Sequence, residues 1–346
     1  MPHELTPEEL RFTPPEIDEG SIAGFVERHW NLQGTLKRLA GERDQNFRLR
    51  LDDGARFVVK ISSPVEDPAL VDYQVQALLH IANRDRELPT PRVLPAVDGS
   101  NICQYVSPGG ESHAVRLLSW VAGVPLGSMT MLPLDAVSAT GRLQGRLCRA
   151  LADFSHPAQH HFMPWDALNG LVESPALRQG FLPESLERRC APILERLEHE
   201  SLPRMRALPA QVIHNDAHRG NVMCDPSDAA TVTGVIDFGD LAHRPVVTDL
   251  ATSLTSFMGH FQDPLRIAER LVAGFRSVLA LDDAQLALLY DALMTRAILT
   301  VQLLTYRIRH AGAPESVRTI DLAESVVNLE VALSMSPEQF LDAVSQ

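Results

Sequence analysis

Val212-Ile213-His214-Asn215-Asp216-Ala217-His218-Arg219-Gly220-Asn221-Val222-Met223, followed by Gly234-Val235-Ile236-Asp237-Phe238-Gly239-Asp240, is the stretch on which the reading of this chain turns. In each half, β-branched residues run into polar side chains, a pattern that predicts an embedded β-hairpin around a polar loop. Carboxylates and an amide at the edge of such a hairpin are presented on a rigid support. Two carboxylates and an asparagine held close together are costly unless a cation bridges them, and a set of hard oxygen donors suits Mg2+.

Upstream, Ile22 to Leu39 carries apolar residues at helical spacing (Ile22, Phe25, Val26, Trp30, Leu36, Leu39), which predicts one helix after a Pro- and Glu-rich lead-in over residues 1–20. The period then changes to two: Phe47, Leu49 and Leu51 alternate with Arg48 and Arg50, Asp53-Gly54 supplies a turn, and Arg56 to Ile61 returns as a second strand. Pro68 to Ala82 reads as a helix, and short strands are expected at 93–94, 101–106 and 113–120. Downstream the patterns are mostly helical, over 136–154, 186–198, 264–279, 283–309 and 316–333. The expected fold is α+β and bilobal, with a small β-rich lobe over residues 1–118, a hinge over 119–125, and a larger, mainly helical lobe over 126–346 that carries the hairpin.

A chain of 346 residues is long enough for two such lobes, and 45% apolar with 22% charged residues is a globular balance that excludes disordered or fibrous classes. No unbroken apolar run reaches the roughly 18–20 residues of a bilayer crossing. The start, Met1-Pro2-His3-Glu4, has neither the basic nor the apolar part of a signal peptide. The expectation is a soluble, cytoplasmic protein with no membrane partner. The net charge of -13 repels phosphate backbones, so no nucleic-acid partner is expected and cationic ligands are favoured. Cys103, Cys148, Cys190 and Cys224 form no C-x-x-C pair and read as buried free thiols. Only two of the 31 basic residues are lysine. Lys37 falls on a polar helical stretch, but Lys60 sits on a strand, where a compact point charge does what a planar guanidinium does poorly.

Phosphoryl transfer asks for a base facing the acceptor hydroxyl, oxygen ligands for metal bound to a triphosphate, and a lysine for phosphate charge. The H-x-D-x-x-x-x-N run from His214 to Asn221 and the later Asp237-Phe238-Gly239 resemble the aminoglycoside phosphotransferase-like family, kinase-like enzymes that phosphorylate small molecules. The resemblance runs in pieces from Ile22 to Phe275. It implies a bilobal protein-kinase-like fold, ATP or GTP as donor, and Mg2+. It also implies Asp216 as catalytic base, Asn221 and Asp237 as metal ligands, Lys60 as the phosphate-contacting lysine, and His214 as a brace for the loop. Asp249 matches a family aspartate that starts a helix, for which N-capping is the plain role.

Leu39-Ala40-Gly41-Glu42-Arg43-Asp44-Gln45-Asn46-Phe47 and Val115-Arg116-Leu117-Leu118-Ser119-Trp120-Val121-Ala122-Gly123-Val124-Pro125 are similar to the hydroxylysine kinase branch. That similarity implies that the stretch holding Gly41, Asn46 and Phe47 covers the triphosphate through backbone N–H groups. It also implies that Ser119 and Val121 belong to a hinge offering backbone groups to the purine edge. Two departures stand out. Asn215 occupies a position where glycine is commonest, and the helix after Lys60 lacks the usual glutamate, leaving Asp72, Gln74 and Gln76 as candidates to hold the lysine, with Asp72 preferred. In the helical lobe, His161, Asp166 and Asp240 are candidates to contact a cationic or zwitterionic acceptor.

Competing readings stay open. Alternation of His214, Asp216 and His218 on a strand would also suit zinc, though it leaves Asn221 and Asp237 unexplained. The apolar stripe from Leu286 to Leu304 reads as core. Aminoglycoside, homoserine or choline-type kinases are alternatives to a hydroxylysine-like enzyme, and a catalytically silent nucleotide-binding regulator is the alternative of another class.

Overall fold

A computed structural model of the chain describes residues 14–169, 180–312 and 321–346. Two compact units emerge: a smaller one running through Val121 and taking in His156–Ala158, and a larger one of Ala122–Ser155 and Gln159–Gln346.

The smaller unit begins with α1 (Glu19–Trp30), capped by the Asp18 carboxylate, which accepts from the Ser21 N–H at 2.8 Å. The helix expected to reach Leu39 stops at Trp30, because Asn31 turns left-handed at φ 52°. Residues Thr35–Leu39 instead form β1, with Leu36 buried and its neighbours exposed. They are followed by β2 (Gln45–Arg50), β3 (Arg56–Ile61), α2 (Pro68–Arg84), β4 (Val93–Leu94), β5 (Cys103–Val106) and β6 (Ser112–Ser119). The sheet is antiparallel in the order β1-β2-β3-β6-β4, with β5 also on β6. Lys37 therefore lies on an exposed strand, not a helix.

Period-two alternation positions Lys60. Val59 and Ile61, on either side of it, are fully buried in a core shared with Ile22, Phe25, Trp30, Phe47 and Leu117. Lys60 therefore belongs to the opposite face. Its cross-strand neighbours are Asn46 on β2 and Arg116 on β6.

The larger unit contains β7 (Val124–Pro125), α3 (Leu134–Leu151), α4 (Glu184–Arg196), α5 (Leu202–Arg206), β8 (Gln211–Ile213), β9 (Val222–Asp225), β10 (Asp228–Val235), β11 (Ala242–Arg244) and α6 (Val246–Phe257). It ends with α7 (Pro264–Arg276), α8 (Asp283–Tyr306), α9 (Leu322–Ala332) and α10 (Pro337–Ser345). The start of the helix expected from Ser316 lies outside the described residues. The two β-branched runs of the deciding stretch do not pair with each other, contrary to expectation. Val212 pairs with His243 in a β8–β11 ribbon, while Val235 pairs with Val222 in the sheet β10-β9-β7. Two loops, 214–221 and 236–241, thus connect one small sheet to the other.

Helices α3 and α7 cross closely. A Cβ on Gly141 would lie 2.1 Å from the Leu271 carbonyl oxygen, so only glycine allows this approach. Helix α8 opens with a reciprocal capping box between Asp282 and Gln285. With its continuation to Ala311 it is long and apolar enough to cross a membrane by length and composition, and 89% of its most apolar stretch is buried inside the protein. All four cysteines are free and buried.

Candidate active site

His214 follows β8 directly and is fully buried. Its Nδ1 accepts from the Asp216 N–H at 3.2 Å, and its ring meets Phe238 edge-on at 4.7 Å. Burial drives the imidazole down to about 4, against the opposing pull of Asp237, Asp240 and the Ile236 backbone. A neutral ring is thus free to accept that N–H and links the two loops. Asn215 adopts φ 64°, a left-handed conformation that asparagine tolerates better than most residues.

Asp249 does not cap a helix. Helix α6 is preceded by Pro245 at its N-cap, and Asp249 lies in the first turn, fully buried. Its Oδ1 accepts from the Asn215 N–H at 2.6 Å, while Gln144 and the Cys148 thiol approach Oδ2 at 3.5 and 3.7 Å. It fastens the loop from below. Thr252 and Ser253 of the same helix donate to the Asn215 and Ala217 carbonyls. Arg219 extends the anchorage to Ser256 and Glu324.

Burial raises the Asp249 carboxyl to about 6, with its bonds from Asn215 and Cys148 opposing the rise. Because the folded value exceeds the unfolded one, this group favours the fold most below pH ~4 and loses about 3 kcal/mol as pH rises to ~6. Asp249→Asn retains the acceptor for Asn215 and removes the titration. The difference between the wild-type and Asp249→Asn unfolding free energies should change by roughly that amount across pH 4–6. Parallel curves from denaturant titrations would contradict the assignment.

Asp216 sits at the centre of the loop. Asn221 Nδ2 donates to Asp216 Oδ2 at 2.7 Å and to the Asp216 carbonyl at 3.0 Å. His218 Nε2 lies 3.6 Å from Oδ2, and Arg296 lies 3.5 Å from Oδ1. With its amide hydrogens committed to Asp216, Asn221 keeps its amide oxygen for a cation. The Ile236 N–H donates to the Asn221 carbonyl at 2.9 Å, which brings Asp237 beside Asn221. Asp237 is exposed, at φ 64°. Among the described residues no three His, Cys, Asp or Glu side chains gather as a ready-made metal cage. Two protein oxygens on adjoining loops fit a Mg2+ that takes its other ligands from phosphates and water.

Several expected residues are placed differently. Asp166 is buried and bound by Arg244, whose Nε donates at 2.7 Å, so its charge is committed within the fold and not to an acceptor. His161 is half-buried on the loop after His160, and Asp240 is half-buried within electrostatic reach of His214. Arg296 was not anticipated. It lies on the apolar helix α8, only 8% exposed, and donates to the Trp165 carbonyl at 2.7 Å. A lone cation in such a stripe is itself a signal, since buried arginines are paired.

In the smaller unit, Lys60 pairs with Asp44 of the β1–β2 loop, Nζ to Oδ2 at 3.2 Å. Asp72, expected to hold Lys60, instead meets His156 at 3.1 Å and Gln76, while Gln74 accepts from Arg116 at 2.7 Å. Helix α2 turns Asp72 to a half-exposed surface. Gly41 is required sterically: a Cβ there would lie 2.3 Å from the Asp44 carbonyl oxygen and 2.5 Å from Asn46 Nδ2. Asn46 in turn donates to the Ala40 carbonyl at 3.3 Å. The Phe47 side chain belongs to the core, and its backbone lies within the β2 ladder. The Ser119 N–H is spent on the Arg92 carbonyl at 2.8 Å and is not offered to a purine, while its hydroxyl oxygen accepts from the Arg92 N–H. Val121 lies beyond β6, outside the ladder.

A small antiparallel sheet followed by a mainly helical unit is the plan of a kinase-like fold. The model of the phosphotransferase enzyme family matches residues 35–287, and the chain belongs to that family. It is a small-molecule kinase, a phosphotransferase with an alcohol group as acceptor. Among its relatives, hydroxylysine kinase from Mus musculus is 25% identical over 290 residues, covering 77% of this chain and 76% of the mouse protein. The microcompartment-associated aminopropanol kinase has a similar fold, with a TM-score of 0.69 at 20% identity, covering 94% of this chain and 98% of that one. Amicoumacin kinase in complex with AMP-PNP, Ca2+ and Ami has a TM-score of 0.68 at 15% identity, over 93% of this chain and 95% of that one.

Proposed function

We propose that this protein transfers the γ-phosphoryl group of ATP or GTP to a hydroxyl of a small amine-bearing acceptor, hydroxylysine or a similar amino alcohol. The observation that carries the reading is the Asn221-to-Asp216 bond at 2.7 Å, which ties a hard-donor amide to a carboxylate on one anchored loop. Asp216 accepts a hydrogen bond from the acceptor hydroxyl and takes its proton as oxygen attacks the γ-phosphorus, whose bond to the bridging oxygen breaks to release ADP or GDP. Asn221 and Asp237 would hold Mg2+, which would offset the charge of the triphosphate. Lys60 contacts the phosphates as a point charge. Most of the rate then comes from positioning, in keeping with a loop fastened by Asp249, Thr252, Ser253 and Arg219.

Asp240 lies near the loop and favours an ammonium-bearing acceptor, whereas Asp166 does not contribute because Arg244 neutralises it. A hydroxylysine kinase relative and an aminopropanol kinase of similar fold both point toward amino-alcohol chemistry. The test is a screen of hydroxy amino acids and amino alcohols against ATP and GTP. Nucleotide consumption dependent on hydroxylysine or a close analogue is the expected result. Thermal stabilisation by Mg2+-ATP without consumption on any acceptor would favour a silent nucleotide-binding protein.

Lys60→Arg keeps charge and loses the compact ammonium, so kcat/KM for nucleotide should fall about tenfold, a cost of roughly 1.4 kcal/mol. Near-normal steady-state kinetics would show that any cation serves at this position.

A further inference from the structure

The counter-charge of Lys60 comes from a place that couples two parts of the phosphate-binding apparatus. Asp44 Oδ2 receives Lys60 Nζ at 3.2 Å and Arg116 Nη2 at 3.3 Å. Lys60 and Arg116 are directly opposed on β3 and β6, a like-charge pair that is unfavourable unless an anion lies between them. Arg116 is only 2% exposed, and it is held in place by Ser62 Oγ at 3.2 Å and Gln74 Oε1 at 2.7 Å. The turn at Gly41 packs against the Asp44 carbonyl and Asn46, and the Asp44 side chain is only 12% exposed. Two cations converge on this one carboxylate. Glu66 also lies within electrostatic reach of these groups, its carboxyl raised by burial against the pull of Arg43, Arg116 and Lys60.

We propose that Asp44 is the positioning residue of Lys60, anchored by Arg116, so that the loop over the triphosphate and the ammonium that contacts it are ordered as one ion-paired unit. This role, expected of a side chain on α2, has passed to the β1–β2 loop. A long lysine side chain held in advance loses less rotamer freedom when phosphate arrives. The inference rests on the reading of Lys60 as the phosphate-contacting lysine.

The test is calorimetric titration of Mg2+-ATP into the full chain, comparing wild type with Asp44→Asn, Asp44→Glu, Lys60→Met and the Asp44→Asn/Lys60→Met double variant. Asp44→Asn should weaken binding about tenfold, the loss of one charge-assisted contact, and Asp44→Glu should recover part of it. On the Lys60→Met background, Asp44→Asn should cost nothing further, which a merely structural role would not produce. An equal loss on both backgrounds would overturn the proposal. Tighter binding by Asp44→Asn would do the same, marking Asp44 as a competitor of phosphate. A wild-type protein that binds no nucleotide would overturn the phosphotransfer reading itself, a result distinct from either.

Discussion

Replacing Asp216 by asparagine should lower kcat about 10³-fold, in the range spanned by general-base catalysis, while leaving nucleotide affinity unchanged. The substitution keeps the size of the side chain and an oxygen able to accept from Asn221 Nδ2, so the loop keeps its shape. Arg296 loses a carboxylate at 3.5 Å but retains the Trp165 carbonyl at 2.7 Å, so the cost in stability should be about 1 kcal/mol, far less than the kinetic effect. The loss should appear in kcat and kcat/KM together, since a proton acceptor acts only as the bond to phosphorus forms. Single-turnover measurements at saturating nucleotide and acceptor read this step directly. Retained turnover would remove Asp216 from the mechanism.

Asp237→Asn should lower kcat/KM by at least about 100-fold, corresponding to roughly 3 kcal/mol of lost charge stabilisation. Asparagine is the informative replacement because the residue sits at φ 64°, which asparagine adopts readily. Alanine there would add about 1 kcal/mol of backbone strain and mix two effects. The variant should need more Mg2+ for half-maximal rate and should lose the part of its nucleotide affinity that depends on metal. Rates titrated against Mg2+, with nucleotide binding measured with and without it, separate these. An unchanged metal dependence would show that Asp237 is not a ligand.

The roles expected of these two residues, with Asn221 and Lys60, come from residue type, spacing and the family resemblance. The partners that set their environment were not legible there. Asp44 falls in a stretch that reads only as loop backbone, and its role depends on Lys60 and Arg116 meeting across β3 and β6. Arg296 was hidden in a stripe read as core, although a buried cation among leucines demands a counter-charge. Asp166 misled because Arg244, which neutralises it, is distant in the chain. The misread first helix has a simpler cause. Leu36 and Leu39 fit helical spacing, yet in a strand an interval of three puts them on opposite faces, as the buried Leu36 and half-buried Leu39 show.

What the sequence determined by itself was the class of chemistry and the α+β plan. Asp216 and Asn221 share one short loop whatever the rest of the chain does, and the alternation around Lys60 sets its face once the strand forms. Tertiary structure alone decided that the β-branched runs flanking the loop pair with separate partners, that Asp249 supports Asn215 instead of capping a helix, and that Lys60 answers to Asp44. The reason is physical. Covalent spacing constrains neighbours within a few residues, whereas counter-charges are chosen by strand register and helix packing, which bring together groups that no local pattern connects.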